Sequence, residues 1–436
     1  MGVKVAVVGA GSTYTPELVE GFVAHEDRLP IEELVLIDVD GDRLEVVGGL
    51  AGRILSARGW QGNLALTTDR ERALDGASFV VVQIRVGGQA ARLTDETIPL
   101  RFGCIGQETT GPGGFAKALR TVPVVLELAE ETGRLGADDA WIVDFTNPVG
   151  IVTQALLDAG HRAIGLCNVG IGLQRRIAGL LGVDWQAVEL EHVGLNHLSW
   201  ERAVRVEGAD MLPGLLERHS DEVASDVGLP AELIRLLGAI PSYYLHYYYL
   251  TDQVLEEQRS GSHASRAEEV MAIEAQLLEM YRDPGLDRKP ALLERRGGAF
   301  YSEAAARLMA SLCAGTGDVQ IVDVRNDGAL PDLPDDAVVE IPARVDRDGA
   351  HPPELAPLAP ELAGLVQEAK AYERLTIEAA TSGSRTVALK ALLSNPLVPS
   401  YGAAFGLLEA LLEANRPFLG RFFPGSSASR GAASTT

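Results

Sequence analysis

The first 167 residues alternate short apolar runs with amphipathic stretches. Each run is apolar at nearly every position, which is typical of strands that are buried on both faces. The predicted strands cover residues 3–8, 34–37, 64–66, 79–84, 140–145 and 163–166. Helical patterns lie between most of them, as at 115–132 and 151–159. Strands that alternate with helices in this way predict a doubly wound α/β fold around a parallel, Rossmann-like sheet.

The pattern changes after residue 167. Residues 188–192 and 198–206 alternate partly with a period of two, which predicts strands of a different sheet. The rest of the chain reads as a mainly helical region at about 230–314, extended segments at 319–324 and 337–345, and helices between 360 and 413.

A chain of 436 residues is too long for one ordinary hydrophobic core, so we expect two domains. We predict a dinucleotide-binding domain over residues 1–167 and a second, α+β domain over 168–424 that carries substrate and metal contacts. The two domains should pack against each other across a cleft. Residues 425–436 are low in complexity, and we expect them to be disordered.

Composition indicates an ordinary globular protein, with 46% hydrophobic and 23% charged residues. No apolar run approaches the length that spans a bilayer, and the first residues lead directly into a strand pattern without signal-peptide features. The cysteines are few and odd in number (Cys104, Cys167 and Cys313), which argues against a disulfide framework. We therefore expect a cytoplasmic protein with no membrane partner.

The formal net charge of −23 adds a constraint on partners. Such a surface repels nucleic acid and anionic lipid, so we expect no nucleic-acid partner. An anionic substrate could bind only where arginine or lysine side chains form a local cluster.

A glycine-rich turn follows the first predicted strand, in the order Gly9, Ala10, Gly11, Ser12, Thr13. Gly9 suits the tight turn, and Gly11 lets the backbone approach a pyrophosphate at a helix N-terminus. The third glycine of the usual fingerprint is missing, so a glycine-rich turn of an unrelated α/β protein is the alternative. Asp38 ends the second strand, where a carboxylate accepts ribose hydroxyls and repels a 2′-phosphate. The pattern favours NAD over NADP.

A cysteine and a histidine form a candidate metal pair. Cys167 ends the sixth predicted strand, at the edge where ligands bind in open α/β sheets, and His197 follows in the second half of the chain. A thiolate and an imidazole suit a borderline transition ion. On spacing alone, a buried free cysteine and a satisfied core histidine would be the preferred interpretation of the pair.

Seven short segments, taken in order, carry a more specific signal. They are GSTYTPEL at 11–18, QIRVGG at 83–88, IGQET at 105–109, GPGGF at 111–115, FTNP at 145–148, LCNV at 166–169 and GLNHL at 194–198. Together they resemble the NAD- and metal-dependent 6-phospho-glycosidases of glycoside hydrolase family four, over nearly the whole chain except the tail. One departure is Gly170, where the phospho-β-glucosidase branch usually has proline.

The resemblance implies roles for individual residues. Cys167 and His197 resemble the manganese ligands, and Arg92 and Asn147 resemble substrate contacts. Glu108 lies in a glycine-rich loop, where a lone carboxylate is either a substrate hydrogen-bond acceptor or a surface group. A planar guanidinium can bind the sugar 6-phosphate with two hydrogen bonds, which supports the assignment of Arg92. The simpler alternatives are a solvated helix arginine, a turn asparagine and a surface carboxylate.

The catalytic base is expected among the tyrosines of residues 243–249. Most tyrosines in such a run pack in a core or an interface. Tyr244, which leucine follows, best matches the family's catalytic tyrosine, and a nearby metal and nicotinamide could lower its pKa. Asn168 also lies in a substrate-binding segment. The α-glycosidase branch typically has aspartate there, and since an amide cannot act as an acid, Asn168 favours β-glycosides.

The resemblance also implies a mechanism and a substrate class. A hydride is transferred from C3 to NAD, the tyrosine removes the C2 proton, the aglycone is eliminated, water adds and the hydride returns. The substrate would be a phosphorylated disaccharide or aryl glycoside, and the enzyme a homo-oligomer, either dimer or tetramer. The alternatives are a 6-phospho-α-glycosidase or α-galacturonidase of the same family, an NAD-dependent sugar or hydroxy-acid dehydrogenase, and a non-catalytic dinucleotide sensor.

Overall fold

The computed structural model describes residues 2–261, 264–298 and 300–424. The predicted disordered tail at 425–436 lies outside the described residues. Within the described ranges, no helix has both the length and the apolar composition to cross a membrane.

Thirteen strands are present in the described chain. They are β1 (Val3–Val8), β2 (Ile31–Ile37), β3 (Asn63–Thr67), β4 (Phe79–Val82), β5 (Trp141–Asp144), β6 (Ala163–Gly165), β7 (Val188–Leu195), β8 (Leu198–Val206), β9 (Ala209–Asp210), β10 (Ile240–Pro241), β11 (Asp318–Arg325), β12 (Val338–Asp346) and β13 (Gly349–His351).

The helices of the described chain fall between and after these strands. They are α1 (Thr15–Ala24), α2 (Gly41–Ala57), α3 (Arg70–Leu74), α4 (Gly88–Thr97), α5 (Gly111–Leu135), α6 (Val149–Asp158), α7 (Asn168–Leu181), α8 (Leu212–Arg218), α9 (Ser220–Val227), α10 (Ala231–Leu237), α11 (His246–Tyr249), α12 (Thr251–Ser260), α13 (Arg266–Tyr281), α14 (Leu292–Arg296), α15 (Tyr301–Ala314), α16 (Pro360–Ser382), α17 (Arg385–Leu393) and α18 (Tyr401–Ala414). Short 3₁₀ helices lie at Pro99–Phe102, Trp185–Ala187, Tyr243–Leu245, Arg416–Phe418 and Gly420–Phe422.

Six parallel strands form the larger part of the larger sheet, starting at one edge, in the order β3-β2-β1-β4-β5-β6. This is the strand order of dinucleotide-binding doubly wound folds. Each of the six strands overlaps a predicted apolar run. The predicted fold class is therefore confirmed.

The two faces of this sheet have separate cores because side chains alternate along each strand. Val5 and Val7 of β1 pack with α1, α2 and α15, whereas Ala6 and Val8 pack with α5, α6 and α16. Both faces are covered, which explains why the strands are apolar at consecutive positions.

Three later strands extend the same sheet, which differs from the predicted organisation. β11 pairs antiparallel with β6, and β12 and β13 continue the order outward. The segments at 319–324 and 337–345, expected within a separate second domain, thus complete the first sheet. A domain division at residue 167 remains a proposal. β7, β8, β9 and β10 form the smaller antiparallel sheet, as predicted for 188–206.

Candidate active site

A cavity of about 550 Å³ opens at the carboxyl ends of the parallel strands. Its lining includes nine of the predicted site residues: Gly9, Gly11, Ser12, Asp38, Arg92, Glu108, Asn147, Asn168 and Tyr244. The second half of the chain adds Tyr247, Glu274, Arg296 and Tyr301 to the walls. Thr13, Cys167 and His197 are buried next to lining residues. The structure therefore brings the predicted residues to one cleft.

The glycine-rich loop forms the cavity wall after β1. Gly9 has a φ of +87°, and a Cβ there would lie 2.7 Å from the Gln83 carbonyl oxygen. The Gly11 N–H donates to Asp38 Oδ2 at 2.7 Å, and a Cβ on Gly11 would lie 2.8 Å from the same oxygen. Only glycine fits at either position without displacing a neighbour. The loop has the cradle form that a dinucleotide pyrophosphate requires.

Residues distant in sequence close this loop from the opposite side. Arg43 Nε donates to the Gly11 carbonyl oxygen at 2.6 Å. Glu274 of α13 forms ion pairs with Arg43 at 3.2 Å and with Arg296 at 3.0 Å. The Tyr281 hydroxyl donates to the Thr13 carbonyl oxygen at 2.7 Å. Helix α13 therefore packs directly on the cofactor loop, and no local sequence signal indicated this.

A cluster of three cations surrounds Glu108. Lys117 Nζ lies 2.7 Å from Glu108 Oε2, Arg92 Nη2 lies 3.3 Å from Glu108 Oε1, and Arg85 also pairs with this carboxylate. Although burial opposes ionisation, Arg85, Lys117 and Arg92 hold the pKa of Glu108 well below its usual range. Burial, followed by the charge of Arg85, lowers the pKa of Lys117 to about 7.

The cation cluster is the local basic site that an anionic substrate needs on so acidic a protein. Arg92 was predicted, whereas Arg85 and Lys117 were missed. The only available signal was their position within or next to the quoted segments at 83–88 and 111–115. Arg92 Nε also donates to Glu96 Oε1 at 2.7 Å, which aligns its guanidinium.

The candidate metal pair lies beside the tyrosine cluster. The Tyr301 hydroxyl is 4.0 Å from Cys167 Sγ, and the His197 ring stacks on Tyr244 with centroids 3.7 Å apart. Burial lowers the pKa of His197 to about 4, so the imidazole is neutral at pH 7, as a metal ligand must be. Asn147 Oδ1 is buried and accepts no hydrogen bond from the described residues.

These donors fit a divalent transition ion with few protein ligands. A cysteine thiolate and a neutral imidazole are suitable ligands for such an ion. In the part of the chain that the structure describes, no group of three or more His, Cys, Asp or Glu side chains could hold a metal. Any ion held by Cys167 and His197 would therefore need further ligands from substrate or water.

The position of Tyr244 follows from the smaller sheet. β10 pairs with β8, and the Ser242 N–H donates to the Ser199 carbonyl oxygen at 2.9 Å. This places the 3₁₀ turn of Tyr244 against the β7–β8 hairpin that carries His197. Desolvation, with smaller contributions from Tyr243 and Cys167, raises the pKa of Tyr244 well above 10. Tyr244 can therefore act as a base only when positive charge is nearby.

A buried acid–base network supports the same hairpin. His192 Nδ1 lies 2.6 Å from Glu201 Oε1, and His192 Nε2 lies 3.0 Å from Glu340 Oε2. Burial disfavours the imidazolium, but Glu201 and Glu340 together raise the pKa of His192 to about 10. The two carboxylates thus hold a buried, protonated histidine.

The raised pKa of His192 predicts a pH-dependent loss of stability on His192→Gln. The folded-state pKa of about 10 exceeds the unfolded value of 6.5, so the stabilisation is fully present below pH 6.5. It is lost as the pH rises towards 10. The difference in unfolding free energy between wild type and variant should therefore shrink from pH 6.5 to pH 10, as measured by urea denaturation. A difference that stays constant or grows over this pH range would show that His192 is neutral in the folded state.

The fold and the site together define an enzyme that binds a dinucleotide beside a thiol–imidazole pair. Two family models extend this conclusion. The model described as "Family 4 glycosyl hydrolase" matches residues 4–183, and "Family 4 glycosyl hydrolase C-terminal domain" matches 192–398. The chain belongs to glycosyl hydrolase family 4.

Similar proteins cover the whole of this fold. A probable 6-phospho-beta-glucosidase of Bacillus subtilis is 42% identical, with 97% of this chain and 98% of the relative covered. A 6-phospho-alpha-glucosidase of Lacticaseibacillus paracasei is 31% identical, covering 95% and 98%. The 6-phospho-beta glucosidase of Thermotoga maritima, solved with manganese, NAD⁺ and glucose-6-phosphate, superposes with a TM-score of 0.90 at 37% identity, covering 96% of this chain and 99% of that one.

Proposed function

We propose that the protein is a 6-phospho-β-glucosidase that requires NAD and a divalent metal, manganese in particular. The observation that carries this proposal is the cation cluster of Arg85, Arg92 and Lys117, which shares one cavity with the cofactor loop and Tyr244. The relatives with this activity support the same substrate class.

Separate groups of residues would hold NAD, the metal and the 6-phosphate. Residues 9–13 and Asp38 would hold NAD, and Cys167 and His197 would hold the metal. When bound, NAD supplies a reversible hydride acceptor and the metal supplies Lewis acidity. Arg92 would bind the 6-phosphate, because its guanidinium is already aligned by Glu96.

Other side chains would orient the sugar and move its protons. The Glu108 carboxylate remains ionised in the cation cluster, so it can accept hydrogen bonds from sugar hydroxyls. The buried Asn147 Oδ1 offers a second acceptor. Tyr244 would remove the proton at C2, since it lines the cavity and stacks on His197.

The preference for β-glycosides has two independent supports. Asn168 begins α7 next to Cys167 and lines the cavity, and its amide cannot protonate a leaving group. The β-specific relative is also more similar to this chain than the α-specific one, at 42% against 31% identity. We therefore treat 6-phospho-α-glycosidase or α-galacturonidase activity as the second candidate function.

The direct test measures turnover of nitrophenyl 6-phospho-β-glucoside with and without NAD and manganese. We expect cleavage only when both are present. The matched α-linked substrate should react more slowly, and a clear preference for it would reverse the anomeric assignment. A dehydrogenase would accumulate reduced nicotinamide, and a dinucleotide sensor would bind NAD but turn over neither glycoside.

Arg92→Ala should reduce the preference for phosphorylated over plain glycosides by about 10- to 150-fold in kcat/KM, since a charge-assisted pair contributes roughly 1.5–3 kcal/mol. The ratio of the two kcat/KM values is the measurement. Exposed Arg101, substituted in the same way, is the control and should leave the ratio unchanged. If Arg92→Ala lowers both values equally, the 6-phosphate does not bind at Arg92.

We also infer that the protein is cytoplasmic and forms a dimer or tetramer. The sparse cysteines support the reducing compartment, and sedimentation of the purified protein would test the assembly.

A further inference from the structure

One carboxylate from the large sheet holds the turn that carries His197. Glu340 Oε1 accepts a hydrogen bond from Asn196 Nδ2 at 3.0 Å. Its other oxygen, Oε2, lies 3.0 Å from His192 Nε2 and 3.4 Å from Ser199 Oγ. Glu340 is only 1% exposed, so water does not compete for these contacts. Both oxygens of one buried carboxylate are thus committed to the β7–β8 hairpin.

The turn needs such support because its backbone conformation is uncommon. Leu195 pairs with Leu198, so Asn196 and His197 alone form the loop of the hairpin. His197 has a φ of +64°, in the left-handed region that residues with a Cβ rarely adopt. Residues in such conformations persist where surrounding contacts over-determine them. The bond from Asn196 to Glu340 anchors the residue directly before His197.

The same carboxylate connects the turn to the strand that leads to Cys167. Glu340 on β12 pairs with Asp323 on β11, and Asp323 pairs with Gly165 on β6. Gly165 lies two residues before Cys167. Paired strands therefore connect the segment of Cys167, one proposed metal ligand, to Glu340. The Glu340 carboxylate in turn holds the turn that carries His197, the other proposed ligand.

We propose that Glu340 is a positioning residue for the metal site, acting through Asn196 to present the His197 imidazole. The proposal rests on the proposed metal role of His197. Hydrogen-bonded groups behind metal ligands typically change metal affinity by about 10- to 100-fold when they are removed. Such groups more often bind the ring of the metal ligand itself. Glu340 would instead fix the backbone that carries the ligand His197.

The test measures manganese affinity from the electron paramagnetic resonance signal of free Mn²⁺, without substrate. In Glu340→Gln an amide replaces one acceptor oxygen, so we expect affinity to fall by at least about 10-fold. Glu201→Gln is the matched control, because Glu201 is equally buried and bonds the same His192, whereas the Asn196 amide donates to Glu340. It should retain near-wild-type manganese affinity, and NAD affinity should be unchanged in both variants.

A second variant keeps the proposal testable if Glu340→Gln does not fold. Asn196→Ala removes the same hydrogen bond from the other side and leaves Glu340 paired with His192. It should weaken manganese binding to a similar extent. Where both variants fold, combining them should add little further loss, because they remove one shared contact.

Three outcomes would overturn the proposal. If His197→Ala weakens manganese binding but Glu340→Gln and Asn196→Ala do not, Glu340 has no positioning role and the metal assignment stands. If Glu201→Gln weakens binding as much as Glu340→Gln, general hairpin stability explains the effect. If His197→Ala itself binds manganese as wild type does, the metal assignment and this proposal both fail.

Discussion

Tyr244→Phe is expected to lower kcat by about 100- to 10,000-fold, the range that a positioned general base contributes. The substitution removes the hydroxyl but keeps the ring that stacks on His197 at 3.7 Å, so manganese and NAD binding should be retained. Exchange of the C2 proton with solvent should disappear with the activity, because both depend on the same hydroxyl.

Neighbouring tyrosines provide matched controls for this prediction. Tyr243 stacks on Tyr244 at 4.4 Å and Tyr247 lies 6.2 Å away, and both line the same cavity. Tyr243→Phe and Tyr247→Phe should retain C2 exchange. If one of them loses exchange while Tyr244→Phe keeps it, the base is assigned to the wrong tyrosine.

Removal of the metal is expected to abolish activity, and manganese should restore it best. Because Cys167 and His197 would be its only protein ligands, the ion should be held weakly enough for a chelator to extract it. Cys167→Ser should bind manganese poorly and remain inactive after it is added, while NAD binding persists. Cys313→Ser is the control, because Cys313 lies outside the cavity lining. Full activity after exhaustive chelation would contradict the metal assignment.

The parallel sheet could be predicted because its strands are buried on both faces, which leaves a nearly continuous apolar run in each. β4 is apolar throughout, and only Lys4 interrupts β1. That β11 and β12 belong to this sheet could not be predicted in this way. An antiparallel strand has a similar apolar pattern whichever sheet it joins, and β6, the partner of β11, lies more than 150 residues earlier.

Within the site, the limit of sequence reasoning was distance along the chain. Residues assigned through the family resemblance, such as Arg92 and Glu108, were predicted and line the cavity, whereas Arg85 was missed although it lies within one of the quoted segments. Glu274 and Glu340 were not predicted, because each contacts residues far away in the sequence, such as Thr13, 261 positions from Glu274, and Asn196, 144 positions from Glu340. Their own helix and strand patterns contain no sign of these partners.

The acidic surface and the anionic substrate class are compatible because charge is organised locally. The chain carries a net charge of −23, yet Arg85, Arg92 and Lys117 converge on one carboxylate inside the cleft. A partly desolvated cluster acts at short range, where salt screens it little. Selectivity for the phosphate would therefore depend on these three side chains and little on the field of the whole protein.

We expect the glycosidic bond to be cleaved through a reversible oxidation of the sugar. The most direct measurement follows turnover of 6-phospho-β-glucoside in deuterated water while reduced nicotinamide is monitored by absorbance. Absorbance should stay flat while free sugar phosphate accumulates, and this product should carry deuterium at C2. Reduced nicotinamide formed in proportion to substrate without cleavage, or cleavage without deuterium at C2, would contradict this mechanism.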